Sequence, residues 1–285
     1  MKFSERYGYS TVRDSIQRES LDLELRNALW SLLKLFYWDK VKWISGAFGG
    51  SYRLTSEENT HLRVLCQRLW FSLFKEPLDT LGDDFKKVSQ KLRDHFFAAD
   101  WYEVYDFIEF VAKNFPDENT NKKFMDACND ILEKEVSAYR FVSGQVTEIV
   151  TNEEIEEIEQ AIDSDDQLIA KHLQRSLQLL SDKKNPDYRN SVKESISAVE
   201  RLAQHVVGDD GASLGDLLKR VEKVVELHGA LRSAFSSLYG FSSDASGIRH
   251  ALTDKQEIDF EDAKFMLVVC SAFINYVNGK IRSST

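Results

Sequence analysis

Apolar residues in this chain return at three- and four-residue steps over most of its length, a period that restricts it to helices packed on one another. In "LDLELRNALWSLLKLF" (21–36), Leu25, Ala28, Leu29, Leu32, Leu33 and Phe36 form one stripe. "HLRVLCQRLWFSLF" (61–74) repeats the pattern. In "WYEVYDFIEFVAKNF" (101–115) the stripe is Trp101, Val104, Tyr105, Ile108 and Val111. One stretch departs from it. "YRFVSGQVTEIV" (139–150) carries β-branched residues on both sides of Ser143-Gly144, which predicts a short hairpin. The expected fold class is mainly α.

With 285 residues the chain has room for two domains, each with its own core. Directly after the hairpin, "TNEEIEEIEQAI" opens a helix with Thr151 and Glu154 in capping-box spacing. The expected division is therefore a helical domain over 1–150, ending in the hairpin, and a helical bundle over 151–285. Four segments are expected in the second half. They run over 152–181, from a second capping box at Ser191 and Glu194, from Leu214 to about Leu231, and over 260–281. The last is apolar on nearly every side in its middle and should be deeply buried.

Charge and composition narrow the functional classes. A net charge of -10 argues against a broad nucleic-acid surface, because nonspecific affinity comes mostly from neutralising phosphates. Nine carboxylates and no Lys or Arg fall from Glu148 to Asp166, a pattern that reads first as a solvated helix face beside the domain junction and second as an acidic docking site for a basic partner. The N-terminal "MKFSERYGYS" lacks the apolar core of a secretory signal, and the longest apolar run, "FMLVVCSAFI" (265–274), is too short to span a bilayer. No membrane association is expected. Cys66, Cys128 and Cys270 form no CxxC pair, which suits a reducing cytoplasm.

The six histidines make no HxxxH or HExxH motif, and no phosphate-binding or nucleophile-elbow motif is present, so neither metal nor cofactor is expected. His61 and His95 lie among charged residues and read as surface positions. His172 has no evident partner. Arg201 and His205 stand one helical turn apart, and His228 falls on an apolar seam with Val221, Val224, Val225 and Leu231. Trp38, Lys40, Lys42 and Trp43 form one aromatic-plus-basic cluster, which either binds a nucleic acid or nucleotide signal or belongs to the core.

The stretch that best suits chemistry is "YGFSSDASGIRHALTD" (239–254). A neutral His250 imidazole can take a proton from a ribose 2'-hydroxyl, and the Arg249 guanidinium can hold the charge that builds on the phosphorane oxygens. The same residues also suit a structural knot. Gly247 permits an unusual turn, Asp244 can cap it, and Arg249 can pair with a carboxylate.

The run "NPDYRNSVKESISAVERLAQHV", with "SLGDLLKRVE", "LHGALRSAFSSLYGFSSDASGIRHAL" and "DAKFMLVVCSAFINYV", resembles the C-terminal HEPN-type domain of AbiJ-like abortive-infection proteins. The first half, through "FSERYGY", "LRNALW", "WYEVYDFIEF" and "SAYRFVSGQVTEI", resembles one of the N-terminal domains fused to it. The resemblance implies a phage-defence protein with a HEPN-like four-helix bundle. It implies homodimerisation through that bundle, an RNA substrate cut without metal, and a partner protein from a defence operon. It also places a site at Arg249 and His250, with Asp244 or Glu194 as orienting groups. Catalytic HEPN proteins carry an Arg, then four to six intervening residues, then the His; here the positions where that Arg would stand hold Ser243, Asp244 and Ala245. Either Arg249 takes over that role, or the bundle is a non-catalytic dimerisation and sensing module.

Overall fold

The chain divides into two units, Met1–Val150 and Thr151–Thr285. The computed structural model describes residues 3, 7, 16–46, 49–149, 151–182, 184–245 and 258–284. In the first unit, α1 (Leu23–Phe36) precedes a hairpin of β1 (Ile44–Gly46) and β2 (Gly49–Ser51). Next comes α2 (Thr60–Arg68), which widens into a π-helical stretch over Leu69–Phe74. Then follow α3 (Phe85–Ala98), α4 (Trp101–Asn114), α5 (Glu118–Lys134) and a second hairpin, β3 (Arg140–Val142) with β4 (Gln145–Thr147). The expected stripes form the core: Leu25, Leu29 and Leu33 of α1 and Val104, Ile108 and Val111 of α4 are fully buried, as are Phe96 and Phe124.

The second hairpin stands where the sequence places it. Ser143 and Gly144 both take positive φ, 47° and 81°, the pattern of a tight turn whose twist matches that of the strands. Both strands have an open edge, and each is blocked. The Asn129 side chain accepts from Phe141 N at 2.7 Å and donates to Phe141 O at 2.9 Å, while Glu109 Oε2 accepts from Val146 N at 2.7 Å. The first hairpin lies in "ISGAFGGS", where the glycines gave a signal that the helical reading passed over. Its Gly50 lies against the Trp43 indole, 2.5 Å from where a Cβ would stand.

The second unit holds α6 (Asn152–Ile162), α7 (Gln167–Ser181), α8 (Tyr188–Val207), α9 (Leu214–Val224), α10 (Gly229–Ala245) and α11 (Phe260–Ser284). Helix α8 is its hub, packing on α7, α9, α10 and α11, and α11 packs on α6, α7 and α8. No residue from Met266 to Asn275 is exposed, as the apolar run implies. The mainly α class therefore holds, but among the described residues six helices replace the four expected segments. The 152–181 run breaks at Asp163, and Asp166 restarts it by accepting from Leu168 N at 2.8 Å. Ser191 and Glu194 do not form a capping box. The helix already begins at Tyr188, capped by Asp187, and Ser191 is buried inside it. The 214–231 run ends at Val224, and Glu226, with φ of 51°, turns the chain into α10.

Aspartate is the usual helix start here. Asp22, Asp84, Asp117, Asp166 and Asp187 each accept a backbone N–H of the first turn, and Asp100 shares a reciprocal box with Glu103. Part of the acidic excess is therefore capping chemistry. Among the described residues no helix is long and apolar enough to cross a membrane.

Gly144 tests the hairpin cleanly. Nothing stands within 4 Å of a Cβ there, so Gly144→Val meets only backbone strain at φ of 81°. The expected cost is about 1–2 kcal/mol. All five tryptophans lie between Trp30 and Trp101, so tryptophan emission during urea unfolding reads the first unit alone. A Gly144→Asn control should recover most of the loss, because Asn tolerates the left-handed region.

Candidate functional site

Of the four residues expected to carry chemistry, Arg249 and His250 lie outside the described residues, as does Gly247. Asp244 sits in the last turn of α10, so its backbone is helical and not part of a local turn. Glu194 lies on α8, and its carboxylate is engaged: Oε2 stands 2.7 Å from His172 Nδ1 on α7. Both side chains are partly accessible, 37% for His172 and 29% for Glu194. His172 is therefore not without a partner. The pair spans 22 positions and two antiparallel helices, which leaves no local trace in the sequence.

One turn along the same seam, three serines meet without exposure. Ser176 Oγ lies 3.0 Å from Ser191 Oγ and 2.8 Å from Ser195 Oγ, and it also donates to Ser191 O at 2.9 Å. These hydroxyls are buried and committed to one another, so none serves as a nucleophile. Toward the other end, Arg201 Nε donates to Asp166 Oδ2 at 3.0 Å and its Nη1 reaches Asp210 at 3.5 Å. His205 Nδ1 stands 3.8 Å from the same Asp166 oxygen. Arg201 and His205 do share a face, as their spacing implies, and Asp166 is what gathers them. Burial pushes the Asp166 carboxyl up, but the Leu168 N–H and the Arg201 guanidinium outweigh it and hold the group below its usual range.

Other expectations resolve differently. His228 is not on an apolar seam; it is exposed and its Nδ1 accepts from Ala230 N at 3.2 Å, opening α10. Val224, its expected neighbour, is exposed too. His61 and His95 are exposed as expected, each against an aromatic ring, Phe115 and Phe74. The Trp38, Lys40, Lys42, Trp43 cluster comes apart: Trp38 is core, Lys40 donates to Thr120 Oγ1, and only Trp43 presents its ring, edge-on to Tyr52. Burial lifts the Cys66 and Cys270 thiols to about 12 and Cys128 well above its ordinary value, so none offers a thiolate at neutral pH. No group of three or more metal-ligating side chains occurs among the described residues.

Chemically, the seam between α7 and α8 offers an accessible imidazole–carboxylate pair, His172 with Glu194, a looser one, His205 with Asp166, and the Arg201 guanidinium, already shared between carboxylates.

Asp166 supplies a test of the electrostatics. Asp166→Asn keeps a competent cap and removes the charge facing Arg201, at an expected cost of up to about 1 kcal/mol at pH 7. Because the folded carboxyl titrates below its unfolded range, its contribution is complete above about pH 4 and is lost as pH falls through the folded value. Hydrogen exchange of α7 peptides in the two proteins should differ at pH 7, and the difference should shrink as pH falls below about 4.

Comparison with known proteins comes last. A family model described as AbiJ N-terminal domain 4 matches residues 1–164. The match extends past the second hairpin through α6. No curated protein and no solved structure matches the chain.

Proposed function

The chain belongs to the AbiJ N-terminal domain 4 family, and from that premise we propose an abortive-infection defence protein whose second unit is a HEPN-like ribonuclease acting without metal. The family membership carries the defence reading. The enzymatic part rests on Arg249 and His250, which fall between the end of α10 at Ala245 and the start of α11 at Phe260, with Asp244 in the last turn before them.

In this reading His250 removes the ribose 2'-hydroxyl proton, and the 2'-oxygen attacks its own phosphorus. Arg249 holds the charge on the equatorial oxygens, and the 5'-oxygen leaves and takes up a proton. The products are a 2',3'-cyclic phosphate and a 5'-hydroxyl. Asp244 is the orienting carboxylate. Glu194, held by His172, acts on the bundle rather than on the reacting atoms. The bundle dimerises, and a protein encoded in the same defence operon controls it.

One observation favours a second reading. Ser243, Asp244 and Ala245 occupy the positions where a catalytic HEPN domain carries its Arg, so the bundle can instead be a dimerisation and sensing module that does no chemistry.

Incubation of the full chain with total cellular RNA in EDTA separates them. Wild type should release fragments ending in a 2',3'-cyclic phosphate, and His250→Ala should lower the rate by about 10²-fold or more. Light scattering should give both proteins the same oligomeric mass. Equal cutting by both proteins removes His250 from the mechanism. Phage protection that survives His250→Ala and Arg249→Ala together favours the sensing module.

A further inference from the structure

The first unit holds a cleft of about 310 Å³, lined by Lys40, Glu57, Glu58, His61, Phe115 and Asp117 among others. That volume lies at the lower end of small-molecule pockets. Its walls are held from behind. The buried Asn59 side chain accepts from Lys42 N at 2.8 Å and donates to the carbonyls of Arg53 and Lys42 at 2.8 and 3.3 Å. Tyr37 Oη donates to Asn121, whose amide donates to Phe115 O at 2.9 Å. A cleft braced this way needs little ordering when it fills.

The charges in it are unevenly used. Lys40 donates to Thr120 Oγ1, and that hydroxyl donates to Asp117 Oδ2 at 2.6 Å, so cation and carboxylate satisfy each other through Thr120. Lys40 Nζ lies 5.7 Å from the Phe115 ring centre, and the His61 ring stands perpendicular to Phe115 at 5.9 Å. The carboxylates of Glu57 and Glu58 are exposed and make no hydrogen bond or ion pair with any described residue. With Lys40 and Asp117 offsetting each other, the cleft keeps two negative charges within a chain of net charge -10.

We infer that this cleft binds a cationic nitrogen group, an alkylammonium or a guanidinium. Two unpaired carboxylates supply charge-assisted acceptors for its N–H groups, and the field of the chain attracts it. An anionic ligand would meet those carboxylates unscreened. A neutral one would desolvate them without a partner. The ligand is either a free polyamine or the basic side chain of another protein, which share this chemistry. The inference is independent of the ribonuclease reading, because it concerns the other unit and no step of RNA cutting.

Calorimetric titration of the full chain with spermidine, with arginine amide and with an arginine-rich nonapeptide tests it. Binding of spermidine or arginine amide identifies a small-ligand site, and binding of the peptide alone identifies a basic protein segment. In either case Glu57→Gln with Glu58→Gln should weaken affinity at least tenfold, and Asp79→Asn, outside the cleft, should change it less than twofold. Tryptophan emission melts confirm that the double variant keeps its fold; if its melt falls, Glu58→Lys is read in its place. Failure of all three probes to bind, or undiminished binding by the substituted protein, overturns the inference.

Discussion

The antiparallel seam between α7 and α8 is the constraint on which the second unit depends. Ser176, Ser191 and Ser195 meet there with no exposure, and small side chains let the two backbones approach closely. Each buried hydroxyl is satisfied only in this register. A slide along the seam would leave them unpaired, which costs more than the bonds are worth when made. His172 with Glu194 and Asp166 with Arg201 tie the same two helices further along. Once that pair is set, the other faces of α8 accept α9, α10 and α11.

The first unit solves a different problem. Its described α-helices are short, 9 to 17 residues, and helices of that length owe most of their stability to packing and to their ends. Aspartates at the starts supply the missing partners for first-turn N–H groups, and Lys34 and Lys113 sit in last turns. Side-chain amides then do for loops what caps do for helices. Asn129 pairs with the open edge of β3, Asn59 binds three backbone groups of the 42–53 segment, and Asn121 holds Phe115. Binding surfaces built on segments braced in this way keep their shape without a ligand.

Much of the fold was legible because it rests on periodicity and turn chemistry. Leu25, Leu29 and Leu33 are spaced for a helix and are buried as one. Ser143-Gly144 between β-branched runs is a hairpin wherever the turn can take positive φ. The departures share a cause, elements that start or stop where a cap or turn outside the apolar pattern sets them. The carboxylates of 148–166 do face solvent or its edge, but Asp163 ends α6 and Asp166 begins α7. Ser191 and Glu194 have the spacing of a cap, but Asp187 directly after Pro186 reaches the first turn sooner. His228 stood among valines in the sequence, yet the chain turns at Glu226 and carries it into solvent.

Sequence alone determined that this chain is helical, where its second hairpin lies, and that Arg249 and His250 stand side by side just before the last helix. Those features depend on neighbours within a few residues, so the local pattern contains them. Only the tertiary structure decided that Glu194 belongs to His172, that Asp166 gathers Arg201 and His205, and that Glu57 and Glu58 border a cleft with Lys40 and Asp117. Each of those groupings joins residues from different elements. Which side chains meet across elements follows from how apolar stripes dock and which register buries the fewest unpaired polar groups.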